Sequence, residues 1–293
     1  MPAGALGLVL LAGLIHASWN IAAKKAGGDI RFAFFTTAIV IVAWGPLGLW
    51  LAWQHVPAWG TTEWALVGAS AALHSGYYLF LLRGYRKADL TVVYPLARGS
   101  GPLLSSMAAV LLLGEQISAL GAFGIAGVVG GVFLIAGGPG LWHRSHDAQA
   151  RRRLRKGMVY GLLTGAFIAA YTVVDGYAVK IVLISPILVD YMGAALRIFV
   201  LAPSVARDVP TALSHWRAQW KYALFVGIVS PISYVLVLYA MQSAPLSHVA
   251  PAREVSMLFA ALIGGQLLGE GDRWLRLVGA GCIAAGVMAL ALG

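Results

Sequence analysis

Runs of about twenty mostly apolar residues, repeated along nearly all of a 293-residue chain, leave few folds open. A run of that length crosses the hydrocarbon of a bilayer as a helix, at about 1.5 Å of rise per residue. Such runs fall at roughly 3–24, 32–53, 62–83, 90–113, 117–138, 157–179, 186–205, 219–241, 246–268 and 273–292. The expected fold is all-α, a polytopic membrane protein with ten transmembrane helices. Only 11% of residues are charged, against about 25% in a soluble domain, which excludes a water-soluble fold. No Lys or Arg precedes Lys24. The basic start of a cleaved signal is therefore missing, and the first run reads as a span.

Charge gives the direction of threading. Lys24, Lys25, Arg31, Arg83, Arg86, Lys87, Arg144, the "RRRLRK" cluster at 151–156, Arg207, Arg217, Lys221, Arg273 and Arg276 share one side. Only Lys180 falls on the other. Lys and Arg accumulate on the cytoplasmic side, so both termini are expected outside, in the periplasm of a bacterial inner membrane. The net charge of +10 thus reflects loops facing anionic lipid rather than a nucleic-acid partner. Lys24, Lys25 and Lys180 read as anchors that snorkel to the interface. The single cysteine, Cys282, excludes an intramolecular disulfide.

The two halves repeat. "VVYPLARGSGPLLSSMAAVLLLGE" ends at Glu115, and "HVAPAREVSMLFAALIGGQLLGE" ends at Glu270. At an offset of 155, Arg98 meets Arg253, Gly114 meets Gly269, Gly124 meets Gly279 and Gly131 meets Gly286. The expected organisation is a first repeat over 1–138, a basic cytoplasmic linker over 139–156, and a second repeat over 157–293. Five spans per repeat make the second copy enter from the opposite face. An inverted repeat of this kind marks transporters, with the substrate between the halves near mid-membrane.

The stretches "PLLSSMAAVLLLGEQISALGAFGIAGVVGG" and "PAREVSMLFAALIGGQLLGEGDRWLRLVGAGCIAAGV" resemble signatures of EamA-type proteins, of the drug/metabolite transporter superfamily. The resemblance covers the whole chain, in both copies. It implies ten helices around a central cavity, alternating access, and export of amino acids or related metabolites. Size and aromatic content are most similar to bacterial exporters of aromatic amino acids. One departure is Met257, where the first copy has Pro102.

Several polar side chains sit where lipid would penalise them. An ionisable residue inside a span is a functional candidate by default. Arg98 and Arg253 are expected one toward each face, as gates that also attract an anionic group. Proline leaves a carbonyl four residues back without its donor. Pro95, Pro102 and Pro251 should thus free the carbonyls of Thr91, Arg98 and Ser247. His16, Trp19 and Asn20 share a face of span 1, as do His74, Tyr77 and Tyr78 in span 3. Tyr94 lies one turn before Arg98, Tyr171 one turn before Asp175, and span 8 offers Ser230, Ser233 and Tyr234. These residues suit a substrate with an apolar ring and two charges. Arg98 or Arg253 would hold a carboxylate, Asp175 or Glu254 an ammonium, and the aromatic faces the ring.

Gating is expected of Arg98, Asp175, Arg253 and Glu254, with Asp175 bridging to Arg253 when the outer gate closes. Arg253 and Glu254 are adjacent on one helix and should face different points. Asp190 and Arg197 share a face of span 7 and read as a structural pair. No nucleophile, phosphate loop or metal-ligand motif is present, and His143 and His146 are too few for a metal site. No catalytic residue, cofactor or metal is expected, and a monomer can form the whole cavity. Export of other metabolites, cationic drugs or nucleotide sugars, coupled to protons, is the alternative. The lack of a mid-span acid favours uncoupled facilitation.

Overall fold

The computed structural model describes residues 1–88, 90–135, 148–260 and 273–293. Every described element is helical. They are α1 (Ala3–Ala26), α2 (Ile30–Ala43), α3 (Gly45–His55), a 3-10 turn (Val56–Ala58), α4 (Thr61–Lys87), α5 (Leu90–Leu113), α6 (Ala119–Ile135), α7 (Ala148–Lys180), α8 (Pro186–Ala206), α9 (Val209–Ser243), α10 (Leu246–Ala252) and α11 (Arg273–Leu292). Among the described residues six helices are long and apolar enough to cross a membrane, and the bent pair α2–α3 makes up to seven. Part of the ninth expected span, with Gly269 and Glu270, lies outside the described residues, as do His143 and His146 in the linker.

Three boundaries differ from those expected. Span 2 is bent by 65° between α2 and α3. Pro46 in the first turn of α3 has no N–H to give to the preceding turn, and Trp44 secures the corner by donating its indole N–H to the Ile228 carbonyl at 3.1 Å. Residues 148–156, within the expected linker, are helical and form the first turns of the 33-residue α7, largely exposed over 151–156. That helix is about 50 Å long, against about 30 Å of hydrocarbon. Hydropathy marks only the lipid-embedded part, and Ala, Gln, Leu, Lys and Arg continue a helix readily in water. For the same reason α9 starts well before residue 219, where Asp208 caps it by accepting the Thr211 N–H at 3.2 Å.

Three long helix pairs build the bundle. α1 packs along α9 as α7 packs along α4, and α6 packs along α11. The α6–α11 contact is made by backbone. A Cβ on Gly131 would stand 2.5 Å from the Gly279 carbonyl oxygen, and one on Gly286 would stand 2.7 Å from the Gly124 oxygen. Gly124 faces Gly286 while Gly131 faces Gly279, so the two helices run antiparallel. Leu111 and Phe123, each 76% exposed, face outward as lipid-contacting residues do.

Gly131→Val drives a side chain into the α11 backbone, and the expected cost is about 1–3 kcal/mol, read as a lower thermal midpoint in detergent. Gly130, where a Cβ meets nothing within 4 Å, serves as the control: Gly130→Ala should leave the midpoint unchanged.

Candidate functional site

The polar groups inside the bundle gather where α4, α7 and α9 meet, and around a break in the ninth span. α10 stops at Ala252, Arg253 and Glu254 form a turn, and helix resumes over 255–260. Pro251 has no N–H to donate. The Glu254 N–H bonds the Pro251 carbonyl at 2.9 Å, Ser256 bonds Arg253 at 3.2 Å and Met257 bonds Glu254 at 2.8 Å. These i to i−3 bonds wind the backbone more tightly than an α-helix. The carbonyl of Ser247, expected to be freed by Pro251, accepts the Ser106 hydroxyl at 3.0 Å. The first copy behaves otherwise. Despite Pro95 and Pro102, α5 runs unbroken from Leu90 to Leu113.

The break changes what Arg253 and Glu254 can reach. Arg98 Nε lies 3.0 Å from Glu254 Oε2, and Arg253 Nε lies 3.9 Å from Oε1 of the same carboxylate. Arg98 Nη2 also donates to Ser256 Oγ at 3.1 Å. The expectation that Arg253 and Glu254 face apart is therefore corrected, because the turn replaces the regular 100° step between them. The two arginines likewise converge on one carboxylate in this conformation rather than standing apart toward opposite faces. All three are buried. Tyr94 donates its hydroxyl to Met257 Sδ at 3.4 Å, so the position that departs from the first copy's proline supplies a contact.

The second group surrounds His74. Its ring stacks on Tyr171 with centroids 4.0 Å apart, and Tyr234 meets it edge-on at 5.6 Å. Tyr77 packs edge-on against Tyr171 and Tyr78, each at 5.9 Å. His74 Nδ1 lies 2.9 Å from the Ser70 carbonyl, and Nε2 lies 3.9 Å from Asp175 Oδ2. Asp175 is fully buried and accepts a short hydrogen bond from the Tyr234 hydroxyl. In this conformation it bridges to Tyr234 and His74, not to Arg253. The two groups adjoin: Arg98 is within electrostatic reach of Tyr77, Tyr94 and Tyr171.

The remaining candidates are placed unevenly. Trp19 donates its indole N–H to Ser233 Oγ at 3.1 Å and packs edge-on against His16 at 4.6 Å. Asn20 is half-buried on α1. Ser230 takes part through its carbonyl, which accepts the Ser233 hydroxyl at 2.8 Å. Asp190 and Arg197, expected as a pair, form no ion pair among the described residues.

Sequence reasoning missed Glu115 as a structural device. Gly114 adopts φ +67° and ends α5, a conformation that glycine takes without strain. The turn aims Glu115 at the start of α10. Its carboxylate accepts the Leu246 and Ser247 N–H groups, both at 2.8 Å, and Lys180 Nζ at 3.4 Å. Lys180, expected only as an interfacial anchor, also donates to the Ala244 carbonyl at 3.1 Å. The Leu-Gly-Glu signature thus reads physically as helix stop, left-handed turn and cap of a helix in the other half. Burial pushes the Glu115 carboxyl pKa up. The Ser247 and Leu246 donors and the Lys180 charge outweigh it, and the net shift is down.

Family comparison follows the same two halves. The model of the EamA-like transporter family matches residues 3–137 and again 155–292. The chain belongs to that family. EamA-like proteins are transporters rather than enzymes, so this is a multi-pass membrane protein that carries small molecules. A solved crystal structure superposes over 100% of this chain and 98% of its own, with a TM-score of 0.74 at 15% identity, and shares the fold. No curated protein matches the chain.

Two outcomes are expected. Glu254→Gln leaves Arg98 buried without a carboxylate and should cost about 3–5 kcal/mol; a double-mutant cycle with Arg98→Met, read from thermal midpoints, should recover much of it. Glu115→Gln should cost about 1 kcal/mol at neutral pH. Because the folded pKa of Glu115 is lowered, its contribution is full above the ordinary carboxylate pKa of about 4.3 and is lost as pH falls through the folded value. The gap in midpoint between the parent protein and Glu115→Gln should therefore close in acid.

Proposed function

We propose that this EamA-like protein exports aromatic or other hydrophobic amino acids across a bacterial inner membrane, by alternating access between two inverted five-helix repeats. The observation that carries the substrate class is the ring formed by His74, Tyr77, Tyr171 and Tyr234 beside one buried acid and one buried arginine system. An aromatic amino acid needs a stacking surface, a partner for its ammonium and a partner for its carboxylate. Asp175 offers the second and Arg98 the third. Edge-on and stacked aromatic contacts are worth about 0.5–1.5 kcal/mol each beyond area burial, so a substrate ring can replace the ring contacts it displaces.

The repeat reading rests on the exchanged helix pairings, the antiparallel α6–α11 crossing and the family match in each half. In this reading 1–138 and 157–293 form the repeats, 139–156 links them in the cytoplasm, and both termini lie outside. Asp175, Arg98, Arg253 and Glu254 are buried, so substrate reaches them only when helices part. Arg98, Arg253 and Glu254 hold the halves together in the closed form, with Arg98 donated by one half and Glu254 by the other. Organic cations are the second reading, favoured by the acid set among aromatic faces.

Counterflow in proteoliposomes tests the assignment. Vesicles preloaded with unlabelled phenylalanine or tryptophan should take up labelled phenylalanine, and vesicles preloaded with threonine should not. Uptake driven only by preloaded organic cations would replace the amino-acid reading with the second one.

A further inference from the structure

We propose that Arg253 holds one small monovalent anion inside the bundle, either a free halide or the carboxylate of the substrate. The inference rests on charge and geometry at the break after α10; the amino-acid reading enters only through the second source. Two guanidinium groups face the single carboxylate of Glu254, so this group carries one positive charge that it cannot cancel within itself. The two arginines do not share Glu254 evenly. Arg98 Nε lies 3.0 Å from it, and Arg98 Nη2 donates to Ser256 Oγ at 3.1 Å. Arg253 Nε stands 3.9 Å away, beyond hydrogen-bond distance, and is buried without a hydrogen-bond partner. An arginine side chain has five N–H donors and keeps its charge at any ordinary pH. Among the described residues nothing accepts from those of Arg253, although its side chain is only 6% exposed.

The neighbouring helices do not supply a second acid. Gly13 lets α1 come close to the break: a Cβ there would stand 2.5 Å from Val255 Cγ1 and 3.3 Å from the Ser256 nitrogen. One turn further along α1, His16 is within electrostatic reach of both arginines. From α4 and α9, His74 and Tyr234 are within reach of Arg253. The acid next to them, Asp175, accepts the Tyr234 hydroxyl, and among the described residues it forms no ion pair with Arg253.

A buried charge without a hydrogen-bonded counterion is strongly unfavourable. A small anion that accepts from Arg253 removes that conflict. The planar guanidinium suits the two oxygens of a carboxylate, and a halide serves as a single acceptor. Arg98 is already engaged by Glu254 and Ser256, so the carboxylate partner of an amino acid becomes Arg253 rather than Arg98. An organic cation would bring no partner for Arg253 at all.

The test compares thermal midpoints of the full-length protein and of Arg253→Gln in detergent at fixed ionic strength. The media are sodium gluconate, sodium chloride, and gluconate with phenylalanine or with phenylalaninamide, which lacks the carboxylate. In gluconate alone Arg253→Gln should melt no lower than the parent, because it removes an uncompensated charge. Chloride at about a hundredfold its dissociation constant should raise the parent by about 5 °C and leave Arg253→Gln where it was; that outcome assigns the free halide. A rise with phenylalanine but not with phenylalaninamide, again confined to the parent, assigns the substrate carboxylate. A rise with chloride and none with phenylalanine upholds the anion site and counts against the amino-acid reading. Midpoints that Arg253→Gln lowers equally in every medium make Arg253 a structural partner of Glu254 and overturn the site, as do shifts of the same size in both proteins. If Arg253→Gln does not fold, chloride NMR line broadening by the parent decides: broadening that phenylalanine or acetate displaces and gluconate does not upholds the site, and no such broadening overturns it.

Discussion

Hydrocarbon offers no hydrogen bond, and the irregular backbone described inside this protein is arranged around that lack. Helices satisfy most of the backbone internally. The exceptions are where the chain becomes informative. The Ser247 carbonyl, deprived by Pro251, is met by a serine from α5. The first N–H groups of α10 are met by Glu115 from the other half. The break at Arg253 and Glu254 is held by i to i−3 bonds and by two guanidinium groups on one carboxylate. Each solution ties an irregular piece of one half to a regular piece of the other.

That pattern links stability to mechanism. A buried ion pair is poor evidence of stability, because desolvation offsets its attraction. It is a good switch, because its members are comfortable only together or in water. Arg98 on α5 and Glu254 beyond α10 come from distant segments of the chain, so their contact ties the two together. The aromatic side chains around His74 carry no formal charge to desolvate.

Much of this was legible in the sequence. Apolar runs announced an all-helical membrane protein, and the glycines aligned at an offset of 155 fall on the helices that pack backbone to backbone, α6 and α11. Other features were not legible, for physical reasons. Hydropathy cannot see a helix that continues into water, as α7 and α9 do. The Gly45-Pro46 pair signalled the bend in span 2, but an apolar average hid it. Proline alone did not say which copy would break: α5 carries two near Arg98 and stays helical, while the second copy breaks beside one. Partners such as Tyr234 for Asp175, or Glu254 for Arg98, come from distant segments, and a single sequence does not connect them. Glu115 looked like a signature because its partner, the start of α10, appears only once the halves are together.

The glycine crossing of α6 and α11 constrains motion as well as packing. Two backbones in direct contact have no side-chain layer between them to slide over or repack. The two helices are therefore locked against each other in register, and a shift of one has to carry the backbone of the other.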